Sequence, residues 1–272
     1  PNAFEYVAPD AASHFHCNVV PKPSPKDIEQ MVSAYYAEHA SVYDNQDLQV
    51  LKRNRYTAAI DARIVQCLMD LNKEKPVQKV MHFACGTGRR AASIRQLAAL
   101  PYAMHGVDLC AEMAEQADGR GLRVQVTSLI DIEPHQARQD FDVITLLYAY
   151  GHLPNRSIRK HVLHVAHQML RPGGQFIFDV FDVSDPGEWG PDSIRQFKEQ
   201  RLAAQGYEEG DVFYKRSNGD ELAFMHYCDR NRLEELVLSA GFDAVEMTTI
   251  GYDQNPGKEA SSGKLFVVAI KH

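Results

Sequence analysis

The sequence lacks the features that mark a membrane or secreted protein. No apolar run approaches the roughly 20 residues that a membrane-spanning helix needs. Its five cysteines are an odd number and form no CxxC pair, which favours reduced thiols over a disulfide framework. Residues 1–20 lack the basic and then apolar pattern of a signal peptide. These absences predict a cytoplasmic protein that has no membrane partner.

Basic charge is also scarce. Asp and Glu number 36 against 29 Lys and Arg, and the formal net charge is -7 at pH 7. A protein that grips a phosphate backbone usually carries a basic surface, so the balance argues against a nucleic-acid partner, although a small basic patch is compatible with it. The 272 residues, 44% of them hydrophobic, suffice for one large core. The composition leaves the oligomeric state open.

What the sequence does contain, from residue 79 onward, is an alternation of short β-type runs and helical patterns. The predicted strands are 79–83, 104–107, 122–127, 141–147 and 175–181, and the predicted helices are 88–99, a short one from 111, and 157–170. Two helices, 26–40 and 50–72, precede them. This alternation is typical of a parallel sheet covered by helices.

The alternation breaks after residue 181. Residues 182–210 are irregular or helical, and strands at 212–216 and 222–228 flank an Asn218-Gly219 hairpin signal. A helix over 230–240 and strands over 244–251 and 264–270 follow. We therefore predict a helical cap over 1–75 and an α/β domain over 76–272 with an inserted lid at about 182–228.

A glycine-rich loop, ACGTG at 84–88, follows the first predicted strand. Gly86 and Gly88 allow a tight turn and a close approach of the backbone to a ligand, and the next helix offers free N–H groups. Asp108 ends the second strand, where a carboxylate can accept both hydroxyls of a ribose. On spacing alone, the pattern also fits the fingerprint of dinucleotide-binding dehydrogenases, or an ordinary turn.

Four motifs in order resemble those of class I S-adenosylmethionine-dependent methyltransferases of the small-molecule type. They are HFACGTG at 82–88, GVDLCAEM at 106–113, FDVI at 141–144 and LRPGGQ at 170–175. The resemblance is strong over 79–181 and looser from 230. It implies an α/β, doubly wound, Rossmann-like fold with a mostly parallel seven-stranded sheet, in which the last strand is antiparallel. A dehydrogenase does not predict the LRPGG turn.

The resemblance also implies the cofactor, S-adenosylmethionine, with S-adenosylhomocysteine as product. The implied cofactor-binding residues are Tyr43, Ala84, Cys85, Gly86, Gly88, Asp108, Leu109, Met113, Ser128, Leu129 and Leu146. Three positions depart from the family. Ala84 replaces a glycine, His82 stands where an acid often orients the methionine amino end, and Ser128 stands where an acid often reaches the adenine amine. The Leu129 backbone is then expected to read the adenine, with Leu109 and Met113 on either side of the ring. Tyr43, Leu109 and Met113 are also compatible with plain core positions.

The end of the fourth strand is where topology places the reacting groups. Ligands of open α/β sheets bind beyond the carboxyl ends of the strands, so Tyr148, Tyr150 and His152 are the predicted catalytic residues. His152 is the candidate base because histidine titrates near neutrality; the alternative is that it caps a helix or faces solvent. Methyl transfer is an in-line displacement that needs mainly positioning, and a base only when the acceptor is protonated.

The favoured function is methylation of nitrogen or oxygen on a small-molecule acceptor. One alternative is a tRNA methyltransferase, because residues 224–234 faintly resemble the tail of wobble-uridine carboxymethyl methyltransferases. Others are a non-catalytic binding member of the same fold and an NAD-dependent oxidoreductase. No metal site is predicted, since His161, His164 and His167 fit the solvent-exposed face of a helix.

Overall fold

The computed structural model describes residues 21–45, 55–133, 139–215, 222–251 and 260–272. The helices are α1 (Pro25–His39), α2 (Arg55–Glu74), α3 (Arg89–Ala98), α4 (Ala111–Asp118), α5 (Arg156–Met169), α6 (Gly190–Glu199) and α7 (Arg230–Ser239). The strands are β1 (Lys79–Phe83), β2 (Ala103–Asp108), β3 (Arg123–Val126), β4 (Phe141–Leu146), β5 (Leu170–Phe181), β6 (Asp211–Lys215), β7 (Leu222–His226), β8 (Ala244–Ile250) and β9 (Lys264–Ile270). Short 3-10 helices lie at Tyr150–His152 and Leu202–Gln205.

The central sheet has seven strands in the order β3-β2-β1-β4-β5-β9-β8. The pairs from β3 to β5 are parallel, whereas β9 runs antiparallel to both β5 and β8. The predicted sheet and its antiparallel last strand are therefore confirmed. Strand order reverses between β1 and β4, and such a switch point opens a crevice at the carboxyl ends of the strands.

Helices cover both faces of this sheet. All six residues of β4 are buried, and they point alternately to the two sides. Ile144 packs in the same cluster as Val162 of α5, whereas Val143 packs in the cluster that contains Ile64 of α2 and Ile94 of α3. Burial on both faces explains why β4 carries apolar side chains on both sides, at Phe141, Val143, Ile144 and Leu146.

Helix α1 lies outside this sandwich. It packs on the segment at about 182–228 that the sequence predicts as a lid, and we call this segment the insertion. It begins after Ser24, whose side chain accepts a hydrogen bond from the Asp27 N–H and forms a capping box with it. Ile28 of α1 is fully buried against Phe213 and Phe224 of the insertion. We call α1 the cap helix; the division of the chain into a cap and a domain with an inserted lid stays a prediction.

The insertion contains α6 and an antiparallel β6–β7 pair, as its sequence pattern predicts. The turn predicted at 217–220 lies outside the described residues, as do residues 50–54 of the second predicted helix. Strand β5 begins at Leu170, five residues before the predicted start, because Leu170 already pairs with Phe141. The backbones of Gly173 and Gly174 also bond to Lys271.

Within the described ranges, no helix combines the length and apolar character needed to cross a membrane. The same residues contain no group of three or more His, Cys, Asp or Glu side chains arranged to hold a metal ion. The predicted row of solvent-facing histidines is wrong at His167. Its ring contacts Phe242 edge-on, with 5.2 Å between ring centroids, because the segment after α7 folds against α5.

Candidate functional site

The loop after β1 makes an opening at the switch point of the sheet. Ala84 and Gly86 have positive φ angles of 47° and 53°, so the backbone reverses sharply between strand and helix. The Cys85 N–H donates to the Val107 carbonyl at 3.1 Å, which ties the loop to β2. A Cβ atom added to Gly86 would meet no atom within 4 Å. The loop therefore leaves room beside its backbone for a ligand.

Asp108 is held rigidly at the edge of this opening. Its two carboxylate oxygens accept hydrogen bonds from the N–H groups of Gly86, at 2.7 Å, and Cys110, at 2.9 Å. Burial raises the pKa of Asp108, while these N–H groups act in the opposite direction. A carboxylate has further lone pairs, so Asp108 can also accept hydrogen bonds from the two hydroxyls of a ribose.

One cavity extends from this loop across the ends of β2, β3 and β4 and under the cap helix. We call it the nucleoside cavity. Among its lining residues, those predicted from the sequence are Tyr43, Ala84, Gly86, Asp108, Leu109, Met113, Ser128, Leu129, Tyr148 and His152. Those that sequence reasoning missed are Glu29, Val32, Tyr36, Val107, Thr127, Ile130, Leu147, Ala149, Leu153 and Pro154. The rigid carboxylate and the apolar walls fit a nucleoside.

A second cavity adjoins the first on the other side of the loop. Both are lined by Tyr43, Ala84, Gly86, Leu147 and Tyr148, and the second also contacts His82, Cys85, Thr87, Arg89, Arg90 and Thr145. Its polar and charged lining suits the amino-acid end of the cofactor. The structure therefore places the predicted Cys85 on the second cavity and not on the nucleoside cavity.

The histidine that replaces the expected acid is buried below the second cavity. His82 Nδ1 lies 2.8 Å from Oγ1 of Thr145, the residue that pairs with His82 on the neighbouring strand β4. Among the described residues, His82 Nε2 has no hydrogen-bond partner. Burial, with a smaller contribution from His105, lowers the pKa of His82 to about 4, so the ring is neutral at physiological pH. A neutral ring can bind a ligand group without bringing a carboxylate's charge.

Three predicted site residues face elsewhere. Gly88 precedes α3, and a Cβ there would lie 2.9 Å from Ala117, so its role is close packing with α4. Leu146 is fully buried in the core; its neighbour Leu147 points to the opposite side of the strand and lines both cavities. Tyr150 is fully buried with its ring stacked on Phe178, and it lines a different cavity, together with Arg159, His226 and Cys228.

Tyr148 forms a fixed wall between the two cavities. It has a positive φ of 61°, and its N–H donates to the Asp179 carboxylate at 2.9 Å. The fully buried Lys264 pairs with the same carboxylate, and its ammonium lies 3.9 Å from the centroid of the Tyr148 ring. This buried pair stabilises an uncommon backbone conformation at the end of β4.

His152 faces the nucleoside cavity with a defined tautomer. Its Nδ1 lies 2.9 Å from the Phe224 carbonyl oxygen of β7, and because a carbonyl only accepts, Nδ1 carries the proton. In the neutral ring Nε2 then carries no proton, and it lies 3.5 Å from the Tyr36 hydroxyl of the cap helix. The sequence did not predict Tyr36 as a site residue, because 116 residues separate it from His152. The only local signal was the i, i+3, i+7 spacing of Glu29, Val32 and Tyr36, which puts them on one helix face.

Comparison with protein families identifies the chain. A family model described as a methyltransferase domain matches residues 51–247, which is well over half of the chain. The protein therefore belongs to this methyltransferase family, and the dehydrogenase alternative is wrong. A comparison with curated proteins gives no match.

Several solved structures share the fold. The DhpI–SAM–HEP complex aligns with a TM-score of 0.64 at 17% identity, over 91% of this chain and 99% of that one. A Burkholderia thailandensis 1,6-didemethyltoxoflavin-N1-methyltransferase with bound 1,6-didemethyltoxoflavin and S-adenosylhomocysteine gives 0.57 at 17%, over 92% and 91%. A Clostridium acetobutylicum S-adenosylmethionine-dependent methyltransferase gives 0.56 at 15%, over 84% and 99%. With the family match, they confirm the predicted class I fold, and S-adenosylmethionine is the cofactor that agrees with both.

Proposed function

We propose that this chain transfers a methyl group from S-adenosylmethionine to nitrogen or oxygen of a small-molecule acceptor. The observation that carries the proposal is the single cavity that joins Asp108 to His152 beneath the cap helix. Its Asp108 end supplies a ribose acceptor, and its far end supplies a histidine acceptor for a proton. A covered cavity excludes water, which strengthens the electrostatic interactions inside it.

The residues of the cavity divide the work. Asp108 and the loop at Gly86 hold the ribose, and Leu109 and Met113 contact the base. The bound cofactor supplies a methyl group on a positively charged sulfur, which is an activated leaving system. His152 Nε2 would take up the proton that the substrate N–H or O–H loses when the sulfur–methyl bond breaks and the new bond to the substrate forms. The Phe224 carbonyl keeps the imidazole oriented. Tyr148 and Tyr36 form part of the cavity wall. Tyr150 is buried and lines a different cavity, so we assign it no catalytic role.

A small acceptor fits this site better than tRNA. The wall near His152 contains Val32, Tyr36, Leu153 and Pro154, which are apolar or aromatic, and the cap helix lies over it. A polynucleotide instead needs an open, basic path for its phosphates. The Burkholderia neighbour with a bound small molecule supports the same choice.

The test measures S-adenosylhomocysteine formation with a panel of small amines and alcohols and with total tRNA. We expect turnover with a small-molecule member. The His152→Asn variant keeps a donor for the Phe224 carbonyl but removes the Nε2 acceptor, so it should lower kcat by about 100-fold or more without weakening S-adenosylhomocysteine binding. The control is His164→Asn, at an exposed position on α5.

Three results would contradict the proposal. Methylation of tRNA and of no small molecule in the panel would show that the substrate is a nucleic acid. Unchanged kcat in the His152→Asn variant would remove the histidine from catalysis, and absence of any cofactor binding would indicate a non-catalytic member of the fold.

A further inference from the structure

The strand order indicates where the base of the cofactor lies. Outward from the switch point, β1 carries the loop with Gly86, β2 ends at Asp108, and β3 is the edge strand. Neighbouring strands lie about 4.8 Å apart, so a nucleoside whose ribose contacts Asp108 extends its base over the segment that follows β3. Thr127, Ser128 and Leu129 form that segment and line the cavity.

Glu29 is the carboxylate that reaches this segment, and it comes from the cap helix. Its side chain lines the nucleoside cavity and accepts a hydrogen bond from Ser128 Oγ. Ser128 Oγ in turn accepts from the Ile130 N–H at 3.1 Å, which directs the hydroxyl proton toward Glu29. Asp131, the next acid along the chain after Ser128, is exposed to solvent.

We infer that Glu29 accepts a hydrogen bond from the exocyclic amine of adenine and so makes the cap helix part of the cofactor site. The inference rests on the proposed function, because it adds a residue to the same site. The amine is a pure donor in this direction, and a carboxylate is a pure acceptor that can bond to Ser128 and the amine at once. A base with a carbonyl oxygen at that position would instead place this oxygen against the negative charge of Glu29. Neither the carbonyl oxygen nor the carboxylate oxygen that faces it would then receive a hydrogen bond.

The position of Glu29 also links cofactor binding to the cover of the proposed reaction site. Glu29, Val32 and Tyr36 share one face of α1, and Tyr36 contacts His152 at the other end of the cavity. Binding of adenine at Glu29 therefore stabilises the helix that covers the reaction site. Cofactor recognition and closure over the acceptor are coupled through this one helix.

The test compares S-adenosylhomocysteine with S-inosylhomocysteine, which carries a carbonyl in place of the amine. Calorimetry should show that the wild-type protein prefers the adenine ligand, and that Glu29→Gln narrows this preference by about tenfold, the scale of one hydrogen bond to a charged group. A glutamine can donate to the carbonyl as well as accept from the amine. Glu38→Gln, an exposed position on the same helix, is the matched control and should keep the wild-type preference.

Hydrogen exchange of the wild-type protein gives a second measurement that needs no variant. At equal saturation, S-adenosylhomocysteine should protect residues 25–39 more than S-inosylhomocysteine does. Equal protection, or the same ligand preference in wild type and Glu29→Gln, would overturn the inference while leaving the proposed function intact. Binding of neither ligand by the wild-type protein would overturn both.

Discussion

At the scale of single residues, the two glycines of the cofactor loop have different tasks although the motif treats them alike. Both have positive φ angles, 53° at Gly86 and 74° at Gly88. Gly86 borders open cavity, whereas Gly88 lies against Ala117 and Leu122. One glycine makes room for a ligand, and the other makes room for a neighbouring helix.

This difference predicts opposite outcomes for two alanine substitutions. Gly86→Ala should lower the free energy of unfolding by only about 1 kcal/mol, the strain of a left-handed alanine, but should weaken S-adenosylhomocysteine binding by about tenfold or more. Gly88→Ala should lower the free energy of unfolding by about 3 kcal/mol, because a clash adds to the strain, and should leave the affinity of the folded protein unchanged. Urea denaturation and calorimetry measure the two quantities.

Gly121→Ala is the control for strain alone, since Gly121 has a φ of 86° and no atom within 4 Å of an added Cβ. If Gly86→Ala binds S-adenosylhomocysteine as tightly as the wild type, the loop does not approach the cofactor at this point.

At the scale of elements, a buried ion pair joins three segments near the His152 end of the nucleoside cavity. The Lys22 ammonium lies 2.6 Å from an Asp211 oxygen of β6 and donates to the Pro154 carbonyl at 2.7 Å. The other Asp211 oxygen lies 2.8 Å from His226 Nδ1 on β7. The segment before the cap helix, the β6–β7 pair and the turn after His152 are thereby tied together.

Removal of the cation from this pair should loosen the insertion. Lys22→Met leaves the fully buried Asp211 carboxylate without its ammonium partner, so the free energy of unfolding should fall by about 3 kcal/mol. Hydrogen exchange should become faster in β6 and β7. Lys26→Met, at an exposed position on α1, is the control and should change stability by less than about 0.5 kcal/mol. Equal stabilities for the two variants would show that the pair does not hold the insertion in place.

At the scale of the whole molecule, the buried neutral His82 makes stability depend on pH. Its pKa is about 4 in the folded protein, against a usual value of 6.5. Between these values the unfolded chain binds a proton that the folded protein does not bind. The free energy of unfolding therefore falls as pH decreases from about 6.5 to about 4, and His82 contributes no pH dependence above that window.

His82→Asn should make the protein less sensitive to acid. The asparagine keeps a polar partner for Thr145 but does not titrate, so the loss of stability between pH 7 and about pH 4.5 should shrink by up to about 3 kcal/mol. Urea denaturation at the two pH values measures this loss for each variant separately. His272→Asn, at the exposed C-terminus, should retain the wild-type loss. The same loss in both variants would mean that His82 is not buried in its neutral form.

Local patterns predicted the sheet, and they also named ten of the residues that line the nucleoside cavity. Gly86, Asp108, Leu109 and Met113 lie in continuous motifs, and all four residues line the nucleoside cavity. The prediction of Leu146 as a cavity residue missed by one position, since Leu147 lines the cavities instead. Successive residues of a strand point to opposite faces, and an apolar pattern alone does not locate the change in direction after β4. Tyr150 was predicted as a catalytic residue, but it lies in a 3-10 turn and its ring packs on Phe178 in the core.

The fold class follows from the alternation of strands and helices along the sequence. The glycine loop and the position of Asp108 at the end of β2 also follow from the sequence, because they depend on contacts within one strand–loop–helix unit. The cover of the nucleoside cavity, in contrast, is visible only in the tertiary structure. Glu29, Tyr36 and Lys22 act across 99, 116 and 189 residues of chain, on Ser128, His152 and Asp211 respectively. Such contacts form because residues 22–39 pack against parts of the fold that are distant in the chain, and packing depends on shape complementarity between distant surfaces, which periodicity and spacing do not encode.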